Sequence, residues 1–507
     1  MKRKRAAPVR WPWIVLAVVL VLPLLVAAAL LGPVRAARIA WNAASGTMVD
    51  GLADKPTAHR LAVWHLEGDE AQLAAFAKGA EVKALGTTMI LNGVRFTALL
   101  TSIPRPEATG SNVLEISFPG ASLIAPYHHL RLQRPASRSM LDGHLTHWVA
   151  AHMGVPVLFE ERVVLRVQGS DAGVFVVTEV ADAGFEQRRG LPEADVAVLF
   201  AESDTASAAK CWSTSTSWVA SGGRTSAAAL AQAKSVSQLL QAQGMDMATQ
   251  RDSLSKRIDA DAFLRLFAAM QVTNASSAPL LVRSPRTGLL YPVWSTSGAR
   301  STEEPSSLYT AHDALALFML QQPAWRLAYV EHVQRAIASL RADGQWKKDL
   351  RQAAEQLAPS VARDLSKRAP LPGSAGDLLP FNGDQWTSAV KELELNTEHH
   401  WDQLLRELAV VKADATVLGN TVQVTAQGPS IFRVLMEGDS LLEGPQVMGA
   451  FYETVGQGSE ALHEVIILPR LAPDSLGQRL EAPQAPYAVT ITLPVGNLRK
   501  ATILPLP

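Results

Sequence analysis

The sequence predicts an α+β protein in several parts, and three changes of texture along the chain predict it. Strand-like segments with one helix among them run from about residue 81 to 180. Helical segments dominate from 229 to 368, and short alternating strands fill the chain from 415 onward. The order β-β-β-α-β-β in the first stretch indicates a mixed lobe, and the last stretch reads as a separate small all-β domain.

Each element has its own local signal. VKALGTTMILNGVRFTALLT alternates apolar and polar residues about Asn92-Gly93, the dipeptide that turns a tight hairpin. NVLEISFPG and YHHLRLQ add two strands. SRSMLDGHLTHWVAAHMG is a helix that stops at Gly154, with Pro156 beyond it. RVVLRVQG and AGVFVVTEV are strands joined through Gly169-Ser170-Asp171. Residues 203–228, rich in Ser, Thr, Ala and Gly, read as a loop. DADAFLRLFAAMQ carries an apolar stripe at helical spacing, and PLLVRS and GLLYPVW form a strand pair around Pro285-Arg286-Thr287-Gly288. The expected division is a helical segment over 36–80, an α+β domain over 81–368, a linker and helix over 369–411, and a β-rich domain over 412–507.

The N-terminus suggests a membrane anchor. Residues 1–10 hold five basic side chains and no acid, and the next 21 residues, Trp11 to Leu31, carry no charge. A helix of that length crosses a hydrocarbon core of about 30 Å. Residues 11–34 are therefore predicted to be a transmembrane signal anchor. The excess of Lys and Arg before them puts the N-terminus in the cytoplasm and the bulk of the chain outside it, periplasmic or extracellular, on a single-pass inner-membrane protein. A cleaved signal peptide is the competing reading, although its apolar stretch is usually shorter.

Composition removes other classes. Lys plus Arg and Asp plus Glu balance at 47 each, so no global field favours nucleic acid. The single cysteine, Cys211, forbids an intrachain disulfide. No nucleophile elbow, phosphate-binding loop or dinucleotide fingerprint is present.

Residues 82–340, read in order, resemble the CotH-type kinase family. The resemblance lies in the paired strands about Asn92-Gly93, in the helix ending in GVP at 154–156, and in GVFVVTEV. It continues in IDADAFLRLFAAMQVTNASSAPLLVRSPRTGLLYPVW. It implies an atypical protein-kinase-like, two-lobed fold with ATP and Mg²⁺ held between the lobes by carboxylates and an amide. Two of those positions are replaced by Pro279 and Ser295, which argues against ATP chemistry and for a pseudokinase with no cofactor. Glu179 and Asp182, and Asp259 and Asp261, match acidic positions of the family and form a candidate residual pocket. Asp259 and Asp261 also suit a helix N-terminus. His144 and His147 share a helix face, whereas His152 turns away, so a metal reading is weak and no metal is expected.

The expected function is a binding or scaffold module in cell-envelope or surface-polymer assembly, with the membrane and envelope proteins or a surface polymer as partners. The alternatives are an active kinase with rewired metal ligands, using ATP and Mg²⁺, and a structural envelope protein working through its β-domain.

Overall fold

The computed structural model describes most of residues 60–507. Residues 1–59 and several internal stretches, among them 104–112, 181–197, 202–211, 296–306, 368–382 and 440–444, lie outside the described residues.

Seven strands close a barrel: β1 (Ala62–Gly68), β2 (Leu85–Leu91), β3 (Val94–Ile103), β4 (Val113–Ser117), β5 (His129–Gln133), β6 (Glu160–Val167) and β7 (Ser170–Glu179). Their order around the barrel is β1-β2-β3-β4-β5-β7-β6, and a parallel pairing of β6 with β1, Ala62 opposite Val163, closes it. Leu91 faces Val94 in the antiparallel β2–β3 pair, and residues 92–93 between them lie outside the described residues. Alternation sends Trp64, Leu66, Met89, Leu100, Ile116, Leu132, Val163, Leu165 and Phe175 into one apolar core inside the barrel. Between β5 and β6 the chain makes helix α1 (Asp142–His152), which ends before Gly154 at φ 73°.

A helical layer packs outside the barrel. It comprises α2 (Ser226–Gln241), α3 (Met247–Ser255), α4 (Ala260–Thr273), α5 (Ala314–Gln321), α6 (Pro323–Asp343), α7 (Gln345–Lys367) and α8 (Gly383–Ala409). Helix α4 is its centre, with Phe263 and the whole run Leu266–Thr273 buried. Its C-terminal carbonyls are covered by α8: His400 Nε2 donates to Gln271 O (2.6 Å), and Trp401 Nε1 donates to Val272 O (2.9 Å). A small sheet of β8 (Val198–Ala201), β9 (Trp218–Ser221), β10 (Leu280–Arg283) and β11 (Leu290–Val293) lies beside this layer in the order β11-β10-β8-β9.

The C-terminal strands form a two-sheet sandwich. One sheet joins β12 (Lys412–Leu418), β13 (Thr421–Gln427), β20 (Tyr487–Thr492) and β15 (Gln446–Met448). The other joins β16 (Phe451–Ser459), β17 (Leu462–Leu468), β14 (Phe432–Asp439) and β21 (Asn497–Pro505). Val422, Val424, Val434, Val465, Ile467, Val489 and Ile491 fill the space between the sheets. The second sheet also has an outer apolar side. Ile466 and Leu468, with the neighbouring Ile431 and Leu506, belong to the same core as the helices. A short ribbon of β18 (Ala472–Pro473) and β19 (Leu480–Glu481) reaches the helical layer, where Leu480 N–H donates to Tyr309 O (3.1 Å).

Three expectations are corrected. The two-lobed kinase-like fold, and the pseudokinase description drawn from it, do not hold. The N-terminal sheet is not an open lobe above a nucleotide cleft but a closed barrel with an apolar interior. Residues 62–68, expected within a helical segment, are strand β1 and complete that barrel. The inner-membrane, single-pass placement is corrected with it: among the described residues no helix is long and apolar enough to cross a membrane. The longest of them, α6, α7 and α8, carry charged residues along their length. Residues 11–34, on which that placement rested, lie outside the described residues.

Candidate functional site

A cluster of partly buried ionisable side chains lies where the barrel meets the helical layer. Along β6, Val163 and Leu165 enter the barrel core, so Glu160 and Arg162 point outward to the helices. Helix α1 brings His144 and His147, one turn apart, onto that face, and α7 adds Asp349. Arg162 Nη2 lies 2.6 Å from His144 Nδ1, His144 Nε2 bonds the Asp349 carboxylate, and His147 Nδ1 stands 3.9 Å from Glu160 Oε2.

The donor inventory fixes the His144 tautomer. A guanidinium has only donors, so Nδ1 accepts from Arg162; a carboxylate only accepts, so Nε2 carries the proton and donates to Asp349. Burial, helped by the charge of Arg162, holds the His144 imidazole below its usual range, with Asp349 pulling the other way. Burial lifts the Glu160 carboxyl above the usual carboxylate range, opposed by Arg162. Both ring nitrogens of His144 are thus engaged within the fold. To act as a general base it would first have to break its bond to Arg162.

The described acidic residues singled out in the sequence are each held by bonds within the fold. Glu179, buried at the end of β7, accepts from Phe159 N–H (2.8 Å), and its own N–H donates to Phe159 O (3.1 Å). Asp259 caps α4, accepting from Ala262 N–H (3.0 Å). Asp261 is exposed on the first turn of α4 and pairs with Arg265 (3.0 Å) and His332 (2.9 Å). Ser295 follows Trp294, whose N–H donates to Pro156 O (2.7 Å). Asp182 and Pro279 lie outside the described residues. Among the described residues, these bonds of Glu179, Asp259 and Asp261 run to different partners. Among the described residues there is also no group of three or more His, Cys, Asp or Glu placed to hold a metal ion. The shared face of His144 and His147 was readable in the sequence. Their partners were not, because Glu160 and Asp349 come from a strand and a helix far along the chain.

Two further polar clusters join other parts. On the barrel wall, Arg131 grips Glu115 Oε1 through Nε (3.1 Å) and Nη2 (2.8 Å), and His129 Nε2 meets Oε2 at 3.2 Å. Burial raises the Glu115 carboxyl, but the bonds from His129 and Arg131 outweigh it and leave the group below its ordinary range. Between helices and sandwich, buried Arg326 donates to Pro469 O (2.6 Å), Tyr329 OH to Leu308 O (2.7 Å), and Leu308 N–H to Glu407 Oε2 (2.8 Å).

No protein-family model matches the chain, and no curated protein matches it.

Proposed function

We propose that the protein is a non-catalytic binding or scaffold protein whose exposed sheet meets a neutral, hydroxyl-rich polymer. The observation that carries the non-catalytic half is His144. Its imidazole is partly buried at the seam, and both its nitrogens are committed to Arg162 and Asp349. Glu179 and Asp259 are likewise bonded to backbone N–H groups of their own chain.

The outward face of the sheet β12-β13-β20-β15 supports the binding half. Register places Thr416, Gln423, Thr490 and Met448 in one row across it, and Leu418, Thr421, Thr492 and Gln446 in the next. These two rows carry no charge and present hydroxyls and amides, groups that both donate to and accept from sugar hydroxyls. Leu418 and Met448 are more than half exposed, which adds apolar area at the margins.

The test is affinity electrophoresis of the purified chain through gels containing neutral polysaccharides, beside turnover assays with ATP–Mg²⁺ and activated esters. Retardation by a polysaccharide, lost in the double variant Thr416→Lys, Thr490→Lys at unchanged melting temperature, supports the reading. Turnover that disappears in His144→Gln would overturn it.

A further inference from the structure

The chain Asp349–His144–Arg162 sits at the seam between two folded parts, and its geometry tolerates only one protonation state. With Nε2–H given to Asp349 and Nδ1 accepting from Arg162 at 2.6 Å, a second proton on the ring has one place to go. It would set an imidazolium N–H against a guanidinium N–H, donor against donor and cation against cation. We propose that this cluster is a pH-sensitive clamp, holding α1 and α7 to the barrel at neutral pH and releasing them in mild acid.

Charged groups on α7, β6 and α1 set the balance. From α7 comes Asp349, which favours the imidazolium; from β6 come Arg162, which opposes it, and Glu160 beside Arg162. Helix α1 itself adds His147, facing Glu160, and Asp142, which is engaged by Ser139. From α4, Arg265 is turned to Gly154 O and to Asp261; from β7, Thr178 and Val176 stand opposite Glu160 and Arg162.

The sign follows from burial. A base held below its ordinary range when closed binds its proton more tightly when open, so acid pulls the seam apart. Glu160 acts in the opposite sense: its carboxyl, held above its ordinary range, takes a proton more readily in the closed state. The Glu160→Gln variant removes that opposing contribution and should open at higher pH than wild type.

The inference goes beyond the proposed binding role and does not depend on it. Hydrogen exchange of the full chain, corrected for intrinsic rates, tests it at pH 7.5 and 5.5. Protection of amides in α1 and α7 should fall several-fold at the lower pH while the sandwich strands stay unchanged. In His144→Gln, whose amide can serve Arg162 and Asp349 without titrating, protection should be the same at both pH values. Equal protection in wild type, or a pH-dependent fall that survives in His144→Gln, overturns the proposal. Should that variant not fold, the wild-type His144 Cε1–H resonance decides. It must titrate with the same midpoint as the loss of protection, and a separate midpoint rejects the clamp.

Discussion

Asp313 caps α5 from inside the core, accepting from Ala316 N–H at 2.7 Å, and burial pushes its carboxyl up to about 6. Bonds from Ala316, Trp212 and Leu315 pull it back only in part. A carboxyl that holds its proton more tightly when folded stabilises the fold in acid and loses that contribution as pH rises. Between about pH 4 and about pH 6 this amounts to about 3 kcal/mol. Asp313→Asn keeps the capping oxygen and cannot ionise. Its urea midpoint should therefore gain on wild type across that window, and parallel curves would show that Asp313 is not the source. Gly449 poses a constraint of another kind. At φ 96°, a Cβ there would run into the Ala488 carbonyl oxygen. Gly449→Ala should cost roughly 2 to 4 kcal/mol in urea unfolding, from a disfavoured backbone and an overpacked contact together.

Among the elements, α4 shows how local signals and tertiary burial combine. Asp259 gives the first turn an acceptor, and Asn274 ends the helix in the left-handed region at φ 50°. Asp259→Ala should lower stability by about 1 kcal/mol, read as a fall in thermal midpoint with no change in the near-ultraviolet spectrum. Such ends were legible in the sequence because caps are written in adjacent residues. So were the antiparallel pairing of β2 with β3, the stop of α1 at Gly154 and the strand pair around Gly288, whose φ is 72°. Strand β1 was not. AVWHLEG alternates, but its Ala-rich surroundings suggest a helix, and only β2 and β6, from elsewhere in the chain, give it hydrogen-bond partners. The candidate site was illegible for the same reason. Glu160 and Asp349 become neighbours of His144 and His147 only once β6 and α7 are packed, and a carboxylate in a sequence looks like any solvated charge. Asp259, by contrast, stands in the capping role that its local sequence allows.

At the scale of the molecule, barrel, helices and sandwich are joined by buried contacts of both kinds. Ile431, Ile466, Leu468 and Leu506 of the sandwich region share a core with α4 and α6, and Arg326 and Glu407 bond across the same junction. The sandwich is therefore part of the helical layer's support and not an appendage to it. Deleting residues 412–507 should leave a chain that binds a hydrophobic dye and loses near-ultraviolet ellipticity while keeping its helical signal. An undisturbed, dye-free fragment would show the two parts to be independent. Acid should act more narrowly than truncation, on the α1–α7–β6 seam alone.

The parallel closure of the barrel carries a consequence for biosynthesis. Strand β1 leaves the ribosome before the rest of the barrel, and the partner that seals its second edge, β6, follows only after four more described strands and a helix. Until then a nascent sheet with apolar residues on one side has open edges at both ends, a state that invites pairing with other chains. Expression at lowered temperature, or with holdase chaperones in excess, should accordingly raise the soluble yield. Variants that weaken the β6–β7 hairpin should aggregate during synthesis more than their equilibrium stability foretells.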